Sequence, residues 1–262
     1  MAENWSAGDL YEPYVGRWSR LIAAGFLDWL DVAPGADWLD LGCGTGALTQ
    51  AILARAAPAS VSGVDASADY VGYAAAHTPD DRARFSVGDA QSLALDASSV
   101  DASVSGLCLN FVPEPWRAAS EMWRVTRPGG IAAAYLWDYA DGAQFIRYFW
   151  DAAVALDQGA AKLDEGPRFP LCQPEALRQL WSAAGFSDVE VGPIEVETPF
   201  RDFEDYWAPF TGGQGPAPAY AMSLSEERRA GLRERLRRSL PTEPDGRIRL
   251  QARAWAVRGR AG

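Results

Sequence analysis

The chain has 262 residues and a formal charge of −11, with Asp and Glu outnumbering Lys and Arg by 35 to 24. That balance repels a phosphate backbone and argues against a nucleic-acid partner. A hydrophobic content of 48%, with 11 Trp, excludes a disordered chain, and the length suits one domain with an elaboration.

The opening MAENWSAGDLYEPY has no charged segment followed by an apolar one, and no apolar run reaches the ~18 residues of a membrane span. The expectation is a cytoplasmic protein with no membrane partner, monomeric or homodimeric. Apolar groups at Leu21, Ile22, Phe26, Leu27 and Leu30 have a helical period, closed by Pro34-Gly35. Residues 1–33 are therefore expected to form an N-terminal cap.

WLDL (38–41) reads as a strand, a glycine turn follows, and TGALTQAILARA (45–56) resumes helical spacing. The pattern repeats. SVSGVDAS (60–67) reads as a strand ending in Asp65, followed by a helix to about His77, and ARFSVGDAQSL (83–93) as a strand ending in Asp89. DASVSGLCLNFV (101–112) reads as a buried strand, EPWRAASEMWRVT (114–126) as a helix stopped by Arg127-Pro128-Gly129-Gly130, and IAAAYLWDY (131–139) as the next strand. Helices are expected over 142–157 and 175–186, a loop over GPRFPLCQP (166–174), and final strands over 188–200 and 246–259. This alternation implies right-handed crossovers and a parallel sheet covered on both faces. Residues 201–245 are left as an insertion, expected to form a helical lid on a core of 34–200 and 246–259.

The turn Asp40-Leu41-Gly42-Cys43-Gly44-Thr45-Gly46 carries the chemistry. Ligands of open parallel sheets bind beyond the carboxyl ends of the strands, where the chain order switches sides. Gly42 and Gly44 would admit a ligand close to the backbone, Gly46 would take a φ closed to other residues, and N–H groups at the start of the next helix would face the ligand. Asp65, about 20 residues on, stands where a carboxylate meets ribose hydroxyls, although a strand-ending Asp is also a common helix cap. A dinucleotide motif can be forced onto the turn with Ala47 last, but it uses neither Asp40, Gly46 nor Asp89. Cys43, Cys108 and Cys172 form no CxxC pair, so neither zinc nor a disulfide framework is expected, and Cys43 reads as a small buried residue.

These residues resemble the first motif of the class I S-adenosylmethionine-dependent methyltransferases, and the likeness runs in strand order from about Trp38 to Val257. The resemblance implies an α/β, doubly wound, mostly parallel seven-stranded sheet. It implies S-adenosylmethionine as cofactor, with the backbone about Asp40, Gly42, Cys43 and Gly44 on its methionine part. Asp65 would meet the ribose, Asp89 the adenine amino group and the Ala90 N–H its ring, with Ala66 and Leu107 also at the cofactor. The branch it resembles contains quinone-biosynthesis C-methyltransferases and many small-molecule enzymes. Family strands four and five deliver residues to the methyl group, here Asn110, Phe111, Trp137 and Tyr139. Many relatives have His near the position of Asn110. The single His of this chain, His77, falls at a helix end on the adenosine side.

The resulting expectation is methyl transfer by positioning, to a small apolar or aromatic acceptor, with Asn110 and Tyr14 the candidates for a catalytic side chain. Tyr14, Trp18, Asn110, Phe111, Trp137, Tyr139, Arg168 and Tyr206 are expected at the acceptor, from aromatic stretches in the cap (Tyr11, Tyr14, Trp18) and the insertion (Phe203, Tyr206, Trp207, Phe210). Arg17 is assigned to the cofactor's carboxylate. No metal is expected. SEERRAGLRERLRRSLP (225–241) alternates Glu with Arg and reads as a solvated amphipathic helix. A nicotinamide-dependent oxidoreductase and a non-catalytic cofactor-binding module are the alternatives.

Overall fold

The computed structural model describes residues 16–212 and 215–262. Tyr11 and Tyr14 lie outside the described residues. Seven strands form one sheet among the described residues, in the order β3-β2-β1-β4-β5-β7-β6. They are β1 (Asp37–Leu41), β2 (Ser60–Asp65), β3 (Ala83–Val87), β4 (Val100–Gly106), β5 (Thr126–Trp137), β6 (Ser187–Phe200) and β7 (Ile248–Arg260). The helices are α1 (Arg17–Leu30), α2 (Ala47–Arg55), α3 (Ala68–His77), α4 (Pro115–Val125), α5 (Gln144–Leu156), α6 (Glu165–Arg168), α7 (Pro174–Ala183), α8 (Phe203–Trp207), α9 (Pro216–Ser223) and α10 (Glu226–Ser239).

β1 pairs in parallel with β2 and β4, β2 with β3, and β4 with β5. Gly129 N–H bonds to Ala261 O and Asp138 N–H to Arg253 O, so β7 runs antiparallel to β5. The expected doubly wound, mostly parallel sheet is therefore present. The order reverses between β1 and β4, which puts the glycine turn at the switch point where such sheets hold ligands.

The chain divides into two compact units. One comprises Ser19–Leu136, Leu171–Ile194 and Ala254–Gly262. Trp38, Leu39, Leu41 and Val104 fill its sheet, α1 covers it with Ile22 and Phe26, and the Phe26 ring lies 4.7 Å from that of Tyr135. Trp181 of α7 is fully buried, with its indole N–H donated to the Ala132 carbonyl at 3.0 Å. The other unit holds residues 16–18, Trp137–Pro170 and Glu195–Arg253, so the expected 201–245 lid shares it with α5 and α6. Its core is aromatic: Phe149 stacks on Phe210 at 4.5 Å, Trp150 packs on Tyr220 at 5.7 Å, and Leu232 and Leu236 of α10 are buried. Arg228, Arg233 and Arg237 of α10 bind acids of their own unit, Arg228 on Asp157 at 2.9 Å and the other two on Glu204.

Three expected boundaries move. Arg127–Gly130 does not separate helix from strand. The helix ends at Val125, and β5 starts at Thr126 and bulges, with Val100 opposite Thr126 but Ala102 opposite Ile131. A Cβ on Gly130 would stand 2.6 Å from the Asp101 carbonyl oxygen, so glycine lets the bulge pass β4. The third strand stops at Val87, two residues before Asp89, which pairs with Ser92 in an isolated bridge. The fourth stops at Gly106, where Leu107 takes φ +57°, so Asn110 and Phe111 sit on a short 3-10 turn and not on a strand.

Candidate functional site

All three glycines of the turn have positive φ, +73° at Gly42, +51° at Gly44 and +87° at Gly46, but their surroundings differ. A Cβ on Gly42 would stand 2.1 Å from Cys108 Sγ, so a neighbouring side chain, not a ligand, excludes one there. A Cβ on Gly46 would meet Ala74 Cβ at 3.3 Å. One on Gly44 would meet nothing within 4 Å. Gly44 is thus the position where the backbone is bare against open space.

Four N–H groups of the turn are committed within the protein. Gly42 and Cys43 donate to the Val64 carbonyl at 2.7 and 3.1 Å, Gly46 donates to the Cys43 carbonyl at 2.8 Å, and Gly44 donates to Asp65 Oδ2 at 2.9 Å. These four point inward; the expectation of N–H groups facing a ligand concerns the start of α2, which begins at Ala47. A pyrophosphate site needs such groups free. The Asp65 carboxylate stands at this turn instead, which suits a cationic ligand.

Asp40 is fully buried, with Oδ2 accepting the Thr49 hydroxyl at 2.6 Å and Oδ1 without a partner among the described residues. Burial, with a smaller push from the Asp65 charge, raises its pKa to about 7 against the pull of the Thr49 hydrogen bonds. Asp65 accepts Ser67 N–H on Oδ1 at 2.9 Å, besides Gly44 on Oδ2. Ser67, not Asp65, caps α3, its hydroxyl accepting Tyr70 N–H. Ala66 is exposed beside it.

Asp89 is exposed and accepts the backbone and side-chain N–H groups of Gln91 on Oδ1, at 2.8 and 3.0 Å, and the backbone bond above all lowers its pKa. Ala90 follows it, half-buried. Leu107 donates its N–H to the Tyr135 carbonyl at 2.8 Å from its left-handed conformation, a strain concentrated at functional loops. Asn110 Nδ2 is buried without a partner among the described residues, and Phe111 beside it is 37% exposed. Cys43 is a buried free thiol as expected, its pKa pushed up by burial, and Cys108 is pushed up to about 12 by the same cause. His77 is exposed, donates Nδ1–H to the Tyr73 carbonyl at 2.8 Å and stacks on the Tyr73 ring, a helix-end role. These residues all belong to the first unit.

The other expected residues belong to the second unit. Arg17, assigned from sequence to the cofactor's carboxylate, binds Asp205 Oδ1 at 3.2 Å with its guanidinium 4.3 Å from the Trp18 ring centre and 4.6 Å from that of Phe200. Trp18 and Trp137 are buried, each with its indole nitrogen unpartnered among the described residues. Tyr139 packs on Phe169 at 5.5 Å, and Arg168 donates to the Leu163 carbonyl at 3.3 Å. Tyr206 is buried and donates its hydroxyl to the Phe145 carbonyl at 2.9 Å, so its oxygen is spent on the unit's own fold. Sequence reasoning missed the Asp65–Gly44 tie and the part of Cys108; nothing in the spacing of 42, 44, 65 and 108 carries that signal. No group of His, Cys, Asp and Glu among the described residues is arranged to hold a metal, and no helix among them is long and apolar enough to cross a membrane.

Residues 39–134 match the methyltransferase domain family. The chain is 36% identical over 129 residues to 2-methyl-6-phytyl-1,4-hydroquinone methyltransferase of Synechocystis sp., a match covering 48% of this chain and 40% of that protein. It spans about half the length, or less, of the first curated relatives it matches. Phosphoethanolamine N-methyltransferase 2 of Haemonchus contortus, solved with phosphomonomethylethanolamine and S-adenosylhomocysteine, superposes with a TM-score of 0.60 at 16% identity, covering 97% of this chain and 57% of that one. The [4+2]-cyclase SpnF superposes with a TM-score of 0.55 at 20% identity, covering 94% and 81%. Likeness at that level concerns the fold, and one fold hosts more than one reaction.

Proposed function

We propose that this chain, whose residues 39–134 match the methyltransferase domain family, is a class I S-adenosylmethionine-dependent methyltransferase that moves a methyl group to a small organic acceptor. The observation that carries the reading is the turn at Gly44, bare toward open space, with its own N–H spent on the carboxylate of Asp65 beside it. Such a surface suits a ligand with a cationic sulfonium and ammonium and disfavours a dinucleotide's pyrophosphate.

Gly42 to Gly44 would hold the methionine part of the cofactor, Asp65 the ribose hydroxyls, and Asp89 with Ala90 the adenine. The tie from Gly44 to Asp65 fixes turn and acid as one body before any ligand arrives, which lowers the ordering cost of binding. S-adenosylmethionine, when bound, supplies a methyl carbon already activated by positive charge. The protein's own work is then to align the acceptor and exclude water. Asn110 is the residue we assign to positioning, because its buried Nδ2 needs an acceptor oxygen or nitrogen that the described residues do not provide. The single His, His77, is bonded to the Tyr73 carbonyl at a helix end, and the thiols of Cys43 and Cys108 are held protonated, so the reaction relies on an acceptor that is nucleophilic in itself or loses its proton to water or a carboxylate.

The small, apolar or aromatic acceptor is supported by the hydroquinone in the name of the Synechocystis relative. Incubating the full chain with methyl-labelled S-adenosylmethionine and a panel of phenols, quinols and small carboxylates, and measuring S-adenosylhomocysteine release, tests the reading. Transfer to at least one apolar acceptor, reduced tenfold or more in kcat/KM by Asn110→Ala, is expected. Tight cofactor binding with no transfer to any of them would favour a non-catalytic binding module.

A further inference from the structure

We infer that Gln91 is a positioning residue for the base of the cofactor: it holds the Asp89 carboxylate with one oxygen left to receive the amino group of adenine. The inference rests on the reading of Asp89 as the adenine acid, and it adds the group that aims that acid.

Asp89 lies two residues past the end of β3 and is exposed, so packing alone leaves its side chain free to turn. Gln91 fixes it instead. Oδ1 accepts the Gln91 backbone N–H at 2.8 Å and its side-chain Nε2 at 3.0 Å, whereas Oδ2 receives only a long approach from Nε2, at 3.4 Å, among the described residues. A carboxylate oxygen has room for two donors, so Oδ2 keeps its capacity for an incoming N–H. A 6-amino purine brings that donor; a 6-oxo purine brings a carbonyl, which a carboxylate repels.

The Gln91 amide is itself held the right way round. Its Oε1 accepts the backbone N–H of Glu114, the residue that caps α4, at 3.1 Å. Turning the amide over would set its NH2 against that N–H and its oxygen against the carboxylate, so Nε2 stays on Asp89. The following residues are pinned to the same helix by other groups. Leu93 N–H donates to Glu121 Oε2 at 2.6 Å, and Arg124 donates to the Leu93 and Leu95 carbonyls at 3.1 and 2.8 Å. These anchors leave Asp89 untouched, which allows scaffold and aim to be separated. Both donations from Gln91 favour the ionised acid, as does the charge of Arg117 on α4, which is paired with Glu114 at 3.0 Å.

The test titrates the full chain with S-adenosylhomocysteine and S-inosylhomocysteine by calorimetry at pH 8 and pH 5, in the parent, Gln91→Leu, Gln91→Glu, Asp89→Ala and Glu121→Ala, with circular dichroism as the control for folding. We expect the parent to prefer the adenosyl ligand and Gln91→Leu to narrow that preference at least fivefold. Gln91→Glu keeps an oxygen for the Glu114 N–H but sets a second carboxylate beside Asp89. It should bind S-adenosylhomocysteine at least tenfold more weakly than the parent at pH 8, with the gap at least threefold smaller at pH 5, where the two acids share a proton and a donor returns. Glu121→Ala should lower stability and leave the preference as it is. A preference that neither Gln91 variant alters, or one that Glu121→Ala narrows as far as Gln91→Leu does, overturns the inference. If one Gln91 variant fails to fold, the other decides. A preference lost in Asp89→Ala but kept in the Gln91 variants sinks the inference alone, whereas a parent with no preference, or Asp89→Ala matching the parent, sinks the adenine reading and the inference with it.

Discussion

Replacing Asp40 with Asn should flatten much of the acid-side pH dependence of stability. The residue is about 1% exposed, one carboxyl oxygen has no partner among the described residues, and the pKa rises to about 7 from 3.8, chiefly through burial. Between those two values the folded protein holds a proton that the unfolded chain releases. Stability contributed by this group is therefore full below pH 3.8, falls as pH rises toward 7, and is level above it. A difference of roughly three pH units at 1.36 kcal/mol each is on the order of 4 kcal/mol. Asparagine keeps an oxygen for the Thr49 hydroxyl and never ionises. The stability of Asp40→Asn relative to the parent should thus climb by a few kcal/mol between pH 4 and pH 8, with most of the change below pH 7. Urea unfolding at half-unit pH steps, without cofactor, measures it. A difference between the two proteins that stays constant across this range would show that Asp40 ionises as an ordinary carboxylate, and the picture of an acid held dry beneath the turn would fail.

The glycines of the turn should separate fold from ligand. Gly42→Ala puts a Cβ 2.1 Å from Cys108 Sγ at φ +73° and should cost about 3 kcal/mol or more in chemical denaturation, whereas Gly44→Ala carries only the strain of φ +51°, about 1–2 kcal/mol. Asp65→Ala removes the acceptor for Gly44 and Ser67 N–H and should weaken S-adenosylhomocysteine at least tenfold by calorimetry, with Asp65→Asn in between. Since burial raises the pKa of Cys43 and Cys108, a chromogenic disulfide reagent at pH 8 should leave both unreacted in the native protein and modify them on adding denaturant.

The strand–turn–helix repeats were readable because strands buried on both faces are nearly all apolar and the helices keep a 3.6-residue period, as at Trp38–Leu41 and Leu48–Ile52. Asp65 and the turn were readable because their spacing in the chain equals one strand–helix–strand step. Gly42 was misread because its steric partner, Cys108, is 66 positions away, and no local pattern reports a contact made across β1 and β4. Arg127–Gly130 looked like a stop because Pro and Gly usually are one; only the backbone of the neighbouring strand shows that the chain bulges there. The commitments of Tyr206 and Arg17, to Phe145 and Asp205, were likewise beyond sequence, since an aromatic or a cation in a lid has the same composition whether it packs or binds.

Calorimetric titration of S-adenosylhomocysteine into the parent chain and Gly44→Val tests the central claim most directly. One binding site in the parent, absent from a variant that remains folded by circular dichroism, is the result predicted by a bare turn facing its ligand. Equal binding by both proteins, or no heat from the parent, would contradict it.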